Sequence, residues 1–273
     1  MTILQSIILG IVQGATEFLP ISSSGHLVLI PHLFGWHIPD QDKFVFDVLI
    51  QVATLIAVVV YFWDDLFTIT KSFFQGIVKG QPFGNPNAQM GWLLGLATVP
   101  AGVAYLLFAN TFENAFANPL ATSLFLFGTA LLLLIAEWAG KRDKDFEGIT
   151  WVDAIIIGFF QILAIFPGIS RSGSTITGGM TRNLDRKSAA RFSFLISFPV
   201  MMAAGLIGVI KLIQLPDSSG QLIVFIPGFI TAAIVGYISI RWLLRFLTQR
   251  PLYIFAMYCV IFGIINLVSL SIQ

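Results

Sequence analysis

The sequence predicts an all-α polytopic membrane protein built as an inverted repeat, each half supplying one re-entrant helical hairpin and three transmembrane helices. Three observations carry that expectation: the composition, six apolar stretches of membrane-crossing length, and an internal duplication. Of 273 residues, 56% are hydrophobic and only 11% are Asp, Glu, Lys or Arg, against roughly 25% charged in soluble domains. Mean hydropathy is +0.87.

About 20 apolar residues cross a bilayer as a helix. In chain order, the first apolar stretch, residues 2–36, is interrupted by "TEFLPISSSGH". Its proline, serines and glycine end helices and free backbone groups, so it reads as a hairpin that enters and leaves on one side. The opening "MTILQSIILGIVQG" has neither a basic n-region nor a small-residue cleavage site, so it is assigned to this hairpin and not to a signal peptide. Spans follow at 44–63, 91–109 and 119–138, with 64–90 read as a loop. A second broken stretch, 152–182, contains "FPGISRSGS" and is read as a second hairpin; spans at 191–213, 222–247 and 252–272 complete the chain. Irregular backbone at membrane depth survives only where protein or a polar cavity covers it. Both hairpin tips are therefore expected inside the bundle.

Laying "GIVQGATEFLPISSSGH" (10–26) over "GFFQILAIFPGISRSGS" (158–174) gives seven identities in seventeen positions at a constant offset of 148. The pairs include Gln13 with Gln161, Ser22 with Ser170, Ser24 with Ser172 and Gly25 with Gly173. The whole chain, 1–273, is thus one integral membrane domain with repeats at about 1–138 and 150–273. An odd number of spans per copy inverts the second copy against the first, with the hairpin tips meeting near the midplane.

Charge placement orients the bundle, because Lys and Arg gather in cytoplasmic loops. With 64–90 inside, twelve of the fifteen basic residues fall on the cytoplasmic side, Lys43 and Lys211 on the other, and Arg171 within the second hairpin. Both termini are then outside and the first hairpin opens to the extracytoplasmic face. A net charge of +1 gives no basic excess for nucleic acid, and the single Cys259 excludes an internal disulfide.

Ionisable groups at membrane depth are costly and usually functional. Here they concentrate at the two tips. Gln13 and Glu17 share a helix face, being four residues apart; Ser22, Ser23, Ser24, Gly25 and His26 follow. At the other tip stand Ser170, Arg171, Ser172, Gly173 and Thr175. A guanidinium fork suits phosphate oxygens, and hydroxyls with helix N-termini near Gly25 and Gly173 would add donors. Glu17 can hold a hard cation or act as a base, and Gln13 can assist as a neutral oxygen ligand. Ser23, three residues before His26, is positioned for a nucleophile and base pairing. The opposing readings are that the serines and glycines only let helices approach closely, and that Glu17 and Arg171 form a buried structural ion pair. Asp47, Gln51 and Thr54 form a polar stripe on the first span, open between cavity lining and interhelical bonding.

"GIVQGATEFLPISSSGH" and "FPGISRSGSTITGG" closely resemble the two signature motifs of the bacterial undecaprenyl pyrophosphate phosphatase family, also known for bacitracin resistance. The likeness extends through "FDVLIQVATLIAVVVYFW" and "AARFSFLISFPVMMAA". The resemblance implies a hydrolase of the bacterial plasma (inner) membrane that converts undecaprenyl diphosphate to the monophosphate carrier of cell-wall synthesis. It implies a divalent cation, Mg2+ or Ca2+, a polyprenyl diphosphate substrate drawn from surrounding lipid, and it leaves a homodimer open. Carried over by position, the family's glutamate falls on Glu17, its catalytic serine on Ser23, its histidine on His26 and its phosphate-binding arginine on Arg171. A position that is Glu in some members is Gln13 here, so a second carboxylate would have to come from Asp47. Whether Ser23 attacks phosphorus or positions a water stays open. A second class of membrane phosphatases also carries "SGH", but it needs a histidine where this chain has Thr177. The competing functional reading is a transporter or lipid flippase, since inverted repeats with broken hairpins are also a transporter design.

Overall fold

The structure, a computed structural model, describes residues 1–116, 118–213 and 222–272. Its regular elements are helices, and six of those described are long and apolar enough to cross a membrane. The first hairpin is α1 (Ile3–Phe18) and α2 (Ser23–Leu33), followed by α3 (Asp40–Tyr61), α4 (Trp63–Val78), α5 (Pro86–Phe116) and α6 (Pro119–Trp138). The second is α7 (Trp151–Leu163) and α8 (Arg171–Thr181), followed by α9 (Arg186–Ile213), α10 (Leu222–Phe246) and α11 (Tyr253–Ile272). All six expected spans are present, as α3, α5, α6, α9, α10 and α11. The two expected hairpins are the two short-helix pairs.

The sequence reading missed α4. It buries Leu66, Ile69 and Gly76 and exposes Trp63, Phe67, Phe74 and Val78. Its charged residues Asp64, Asp65 and Lys71 lower the hydropathy of the segment below that of a span, and hydropathy alone does not separate such an amphipathic helix from a loop.

Both hairpins start alike. Thr2 caps α1 through the Gln5 N–H while the Gln5 side chain accepts from the Thr2 N–H. Thr150 caps α7 through a reciprocal exchange with Asp153. Each arrangement satisfies two otherwise orphaned donors of a helix start. Thr2 and Thr150 stand 148 apart, the same offset as the motif.

Ion pairs at the bundle's two ends show that each hairpin returns to its own side. The α-amino group of Met1 lies 2.9 Å from the Asp42 carboxylate in the first turn of α3. At the opposite end Asp153, in the first turn of α7, pairs with Lys144 at 2.8 Å and with Arg182, just past α8, at 2.9 Å. At that same end Glu137 closes α6 against α9 and α11. It accepts from Arg142, Arg186 and the Leu252 N–H.

Close packing then draws the hairpins inward. A Cβ at Gly14 of α1 would lie 2.6 Å from the Ala232 carbonyl oxygen of α10, and one at Gly158 of α7 would lie 2.8 Å from the Ala97 carbonyl oxygen of α5. The leading helix of each hairpin thus nests, through a glycine, on a span from the other half of the chain. Beneath the tips lies an aromatic layer in which Phe18 meets Phe194 edge-on at 5.5 Å.

Candidate active site

The α1–α2 and α7–α8 turns end in helices that begin with the same cap. In the first, the Ser22 hydroxyl accepts the Gly25 N–H at 3.2 Å and lies 3.3 Å from Ser24 Oγ. In the second, the Ser170 hydroxyl accepts the Gly173 N–H at 3.1 Å and lies 3.1 Å from Ser172 Oγ. These are paired residues of the sequence repeat: Ser22 and Ser170 are the N-caps, and Gly25 and Gly173 supply the N–H groups they accept. Ser23 and Arg171, the one differing pair within the aligned ISSSG and ISRSG, are the first residues of α2 and α8.

The tips touch. Ser172 Oγ donates to the Leu19 carbonyl at 3.1 Å, and a Cβ at Gly25 would sit 3.2 Å from Gly168 Cα. Across this junction Arg171 Nη2 donates to Glu17 Oε1 at 2.7 Å. The other carboxylate oxygen, Oε2, accepts from Ser23 Oγ at 2.6 Å and from Gln13 Nε2 at 3.1 Å. Glu17 and Arg171 side chains are only 10% and 14% exposed, so the pair is held in a low-dielectric setting where loss of one partner leaves a costly charge. Two buried polar atoms of the cluster, Gln13 Oε1 and Arg171 Nη1, have no hydrogen-bond partner among the described residues. Each belongs to a side chain that bonds Glu17 through another of its atoms, Nε2 or Nη2, and a buried acceptor and a buried cationic donor left open are groups that a ligand can satisfy.

Ser22 departs from its counterpart in backbone: its φ is +72°, while Ser170 has φ −70°. A non-glycine residue with positive φ is strained, and such strain gathers at functional sites.

The expected contact between Ser23 and His26 is corrected by the geometry. Ser23 at the helix start turns to Glu17, whereas His26, one turn on, faces α11. Its Nδ1 lies 2.7 Å from the Ser22 carbonyl and must donate to it, leaving Nε2 to accept from Tyr258 O–H at 2.8 Å in the neutral ring. The imidazole also stacks on Phe262, with ring centroids 4.4 Å apart. Tyr258 and Phe262, brought in from a distant span, carried no signal in the sequence. Beside them an apolar groove of ≈ 390 Å³ is lined by Leu19, Ile21, His26, Ile30 and Tyr258, among others.

Two further expected residues lie apart from the cluster. Thr175 is buried one turn into α8, where its hydroxyl donates to the Arg171 carbonyl at 2.8 Å and lies 2.6 Å from Ser193 Oγ. Asp47 is half-buried on α3, and among the described residues no hydrogen bond or ion pair joins it to Glu17, Gln13 or Arg171. Among the described residues no group of three His, Cys, Asp or Glu side chains could hold a metal.

The family model described as "Bacitracin resistance protein BacA" matches residues 6–265. A Chlorobium phaeovibrioides protein named undecaprenyl-diphosphatase is 43% identical over 279 residues, covering 99% of this chain and 98% of its own. Proteins of the same name from Chlorobaculum tepidum and Myxococcus xanthus are 43% and 38% identical, over 97% and 99% of this chain and 95% and 90% of theirs.

Proposed function

The chain belongs to the bacitracin resistance protein BacA family, and on that footing we propose that it hydrolyses undecaprenyl diphosphate to undecaprenyl phosphate and inorganic phosphate. Relatives named undecaprenyl-diphosphatase span nearly its whole length and favour hydrolysis over transport. The observation that carries the reading to particular residues is the junction of Glu17, Ser23 and Arg171 where the two tips meet.

The diphosphate head lies at that junction, held by Arg171 and by the N-terminal amides of α2 and α8, which carry partial positive charge. The unpartnered Nη1 of Arg171 supplies a donor for a phosphate oxygen, and Ser22, Ser24, Ser170 and Ser172 stiffen the two helix starts. Ser23 Oγ attacks the terminal phosphorus and Glu17 takes its proton, a role supported by the 2.6 Å Ser23–Glu17 contact. The bond to the bridging oxygen breaks and undecaprenyl phosphate leaves. Glu17 passes the proton to that departing phosphate; water then attacks the phosphorus bonded to Ser23, Glu17 takes the water proton and returns it to Ser23 Oγ as inorganic phosphate leaves. His26, bonded to Ser22 and Tyr258, positions the turn that presents Ser23. Such transfers depend chiefly on placement and charge stabilisation.

A divalent cation, Mg2+ or Ca2+, fits this donor set in one particular manner. Magnesium is commonly bound by one or two carboxylates together with substrate phosphates; Glu17 and the unpartnered Oε1 of Gln13 match that need. Bound there with the substrate, the ion would neutralise diphosphate charge.

The prenyl chain remains in lipid between the spans, and the apolar groove beside His26 offers it a way out of the site. Repeats 1–138 and 150–273 are inverted copies, a reading supported by their matching caps and reciprocal helix packing. The end bearing Lys144, Arg182, Arg186 and Arg191 faces the cytoplasm of the bacterial plasma membrane, so the first hairpin opens outward. The reading is tested with purified protein in detergent, undecaprenyl diphosphate and Mg2+. Phosphate release far above a Glu17→Ala control is expected; release no greater than that control would sink it.

A further inference from the structure

Thr129 lies mid-way along α6, outside both motifs, and is fully buried. Its hydroxyl donates to the Gly168 carbonyl at 2.7 Å and accepts the Ser170 N–H at 2.9 Å. We propose that Thr129 is a positioning residue for Arg171, setting the second hairpin's tip in the register that aims the guanidinium at Glu17 and the phosphate. The proposal rests on Arg171 holding the substrate.

The chain of contacts is short. A hydroxyl offers one donor and two lone pairs, so Thr129 satisfies two backbone groups of the 168–170 turn, the Gly168 carbonyl and the Ser170 N–H, at once. Gly168 has φ +99°, and a Cβ there would run into the Thr122 carbonyl of α6. Thr122 and Thr129 are seven residues apart and so share one face of α6, against which the turn is clamped. Ser170 then caps α8 through Gly173, and Arg171 is the first residue of that helix. Between the Thr129 hydroxyl and the catalytic arginine stands one residue. Removing the hydroxyl strands a buried carbonyl and a buried N–H, and the turn must shift to recover partners.

The test uses the full chain in detergent. Thr129→Val, close in shape but without the hydroxyl, should lower kcat for phosphate release about 10- to 100-fold, as small misplacements of a catalytic group do. Thr129→Ser should recover most of the loss. Amide hydrogen exchange over 164–171 should be faster in Thr129→Val, a readout that needs no substrate and is independent of the assigned activity. In an Arg171→Lys background, Thr129→Val should cause little further loss, because both changes act through one group. Should Thr129→Val not fold, Thr129→Cys, a weak hydrogen-bonding replacement, must show the same pattern. Parent-like kcat with unchanged exchange would overturn the proposal. Equal factors of loss in both backgrounds would also overturn it, since they would mean that Thr129 acts elsewhere than through Arg171. A wild-type protein that releases no phosphate, yet shows faster exchange on Thr129→Val, would sink the functional reading and leave the clamp supported.

Discussion

Glu17 Oε1 and Arg171 Nη2 stand 2.7 Å apart, joining residues separated by 154 positions and belonging to different hairpins. Neither copy of the repeat holds the proposed site alone. The first brings the carboxylate and the hydroxyl that it polarises, and the second brings the cationic fork. The tips are carried to this meeting on α1 and α7, which pack tightly on α10 and α5.

Arg171→Lys keeps the positive charge but loses the planar fork that serves Glu17 with one nitrogen and leaves another open. It should reduce kcat by about 100-fold or more, in the range seen when one transition-state donor is removed. Steady-state phosphate release measures this, and activity near the parent level would remove Arg171 from its role.

Ser23→Ala separates attack by serine from attack by water. With Ser23 as the nucleophile, turnover should fall by at least about 1000-fold, as when an essential catalytic group is deleted. A fall of only a few-fold would show that the hydroxyl merely orients water.

The cation is tested by chelation. EDTA should abolish turnover and added Mg2+ or Ca2+ should restore it. Gln13→Ala should raise the cation concentration needed for half-maximal activity, because it removes the neutral oxygen beside Glu17. An unchanged requirement would take Gln13 out of the site.

The spans and hairpins were legible because bilayer-length apolar runs and Pro, Gly and Ser breaks are local properties, readable without tertiary contacts. The motif offset likewise pointed to helix starts near Gly25 and Gly173, which the structure places two residues earlier, at Ser23 and Arg171. What the sequence hid is what distance brings together. His26 lies three residues from Ser23, yet the helix start turns the serine to α1 while Tyr258 and Phe262 draw the imidazole to α11. Thr129 looked like any small polar residue in a span. Thr175, adjacent to the arginine motif, spends its hydroxyl on α8 and α9 instead.

Glu137 offers a stability test away from the site. Its side chain is 1% exposed and accepts from Arg186 at 2.6 Å and from the Leu252 N–H at 2.8 Å. Glu137→Ala leaves the buried Leu252 N–H unpaired and the half-buried Arg186 guanidinium without its partner, and should cost about 1–3 kcal/mol. Thermal unfolding in detergent checks it; an unchanged midpoint would deny the end cluster its structural role.

Orientation is read by labelling. Cys259 is buried, so in a Cys259→Ala background single cysteines at the exposed positions His37 and Asp143 should react with an impermeant maleimide from outside and from inside, respectively. The reverse pattern would invert the bundle and close the proposed outward access.

The most direct test of a shared site at the two tips is a double-mutant cycle in the phosphate-release assay, using Glu17→Ala, Arg171→Ala and the pair. If both groups act on one phosphate, the double variant should be about as slow as the slower single one. Losses that multiply in full would mean that Glu17 and Arg171 work independently, and would contradict a single site assembled from both hairpins.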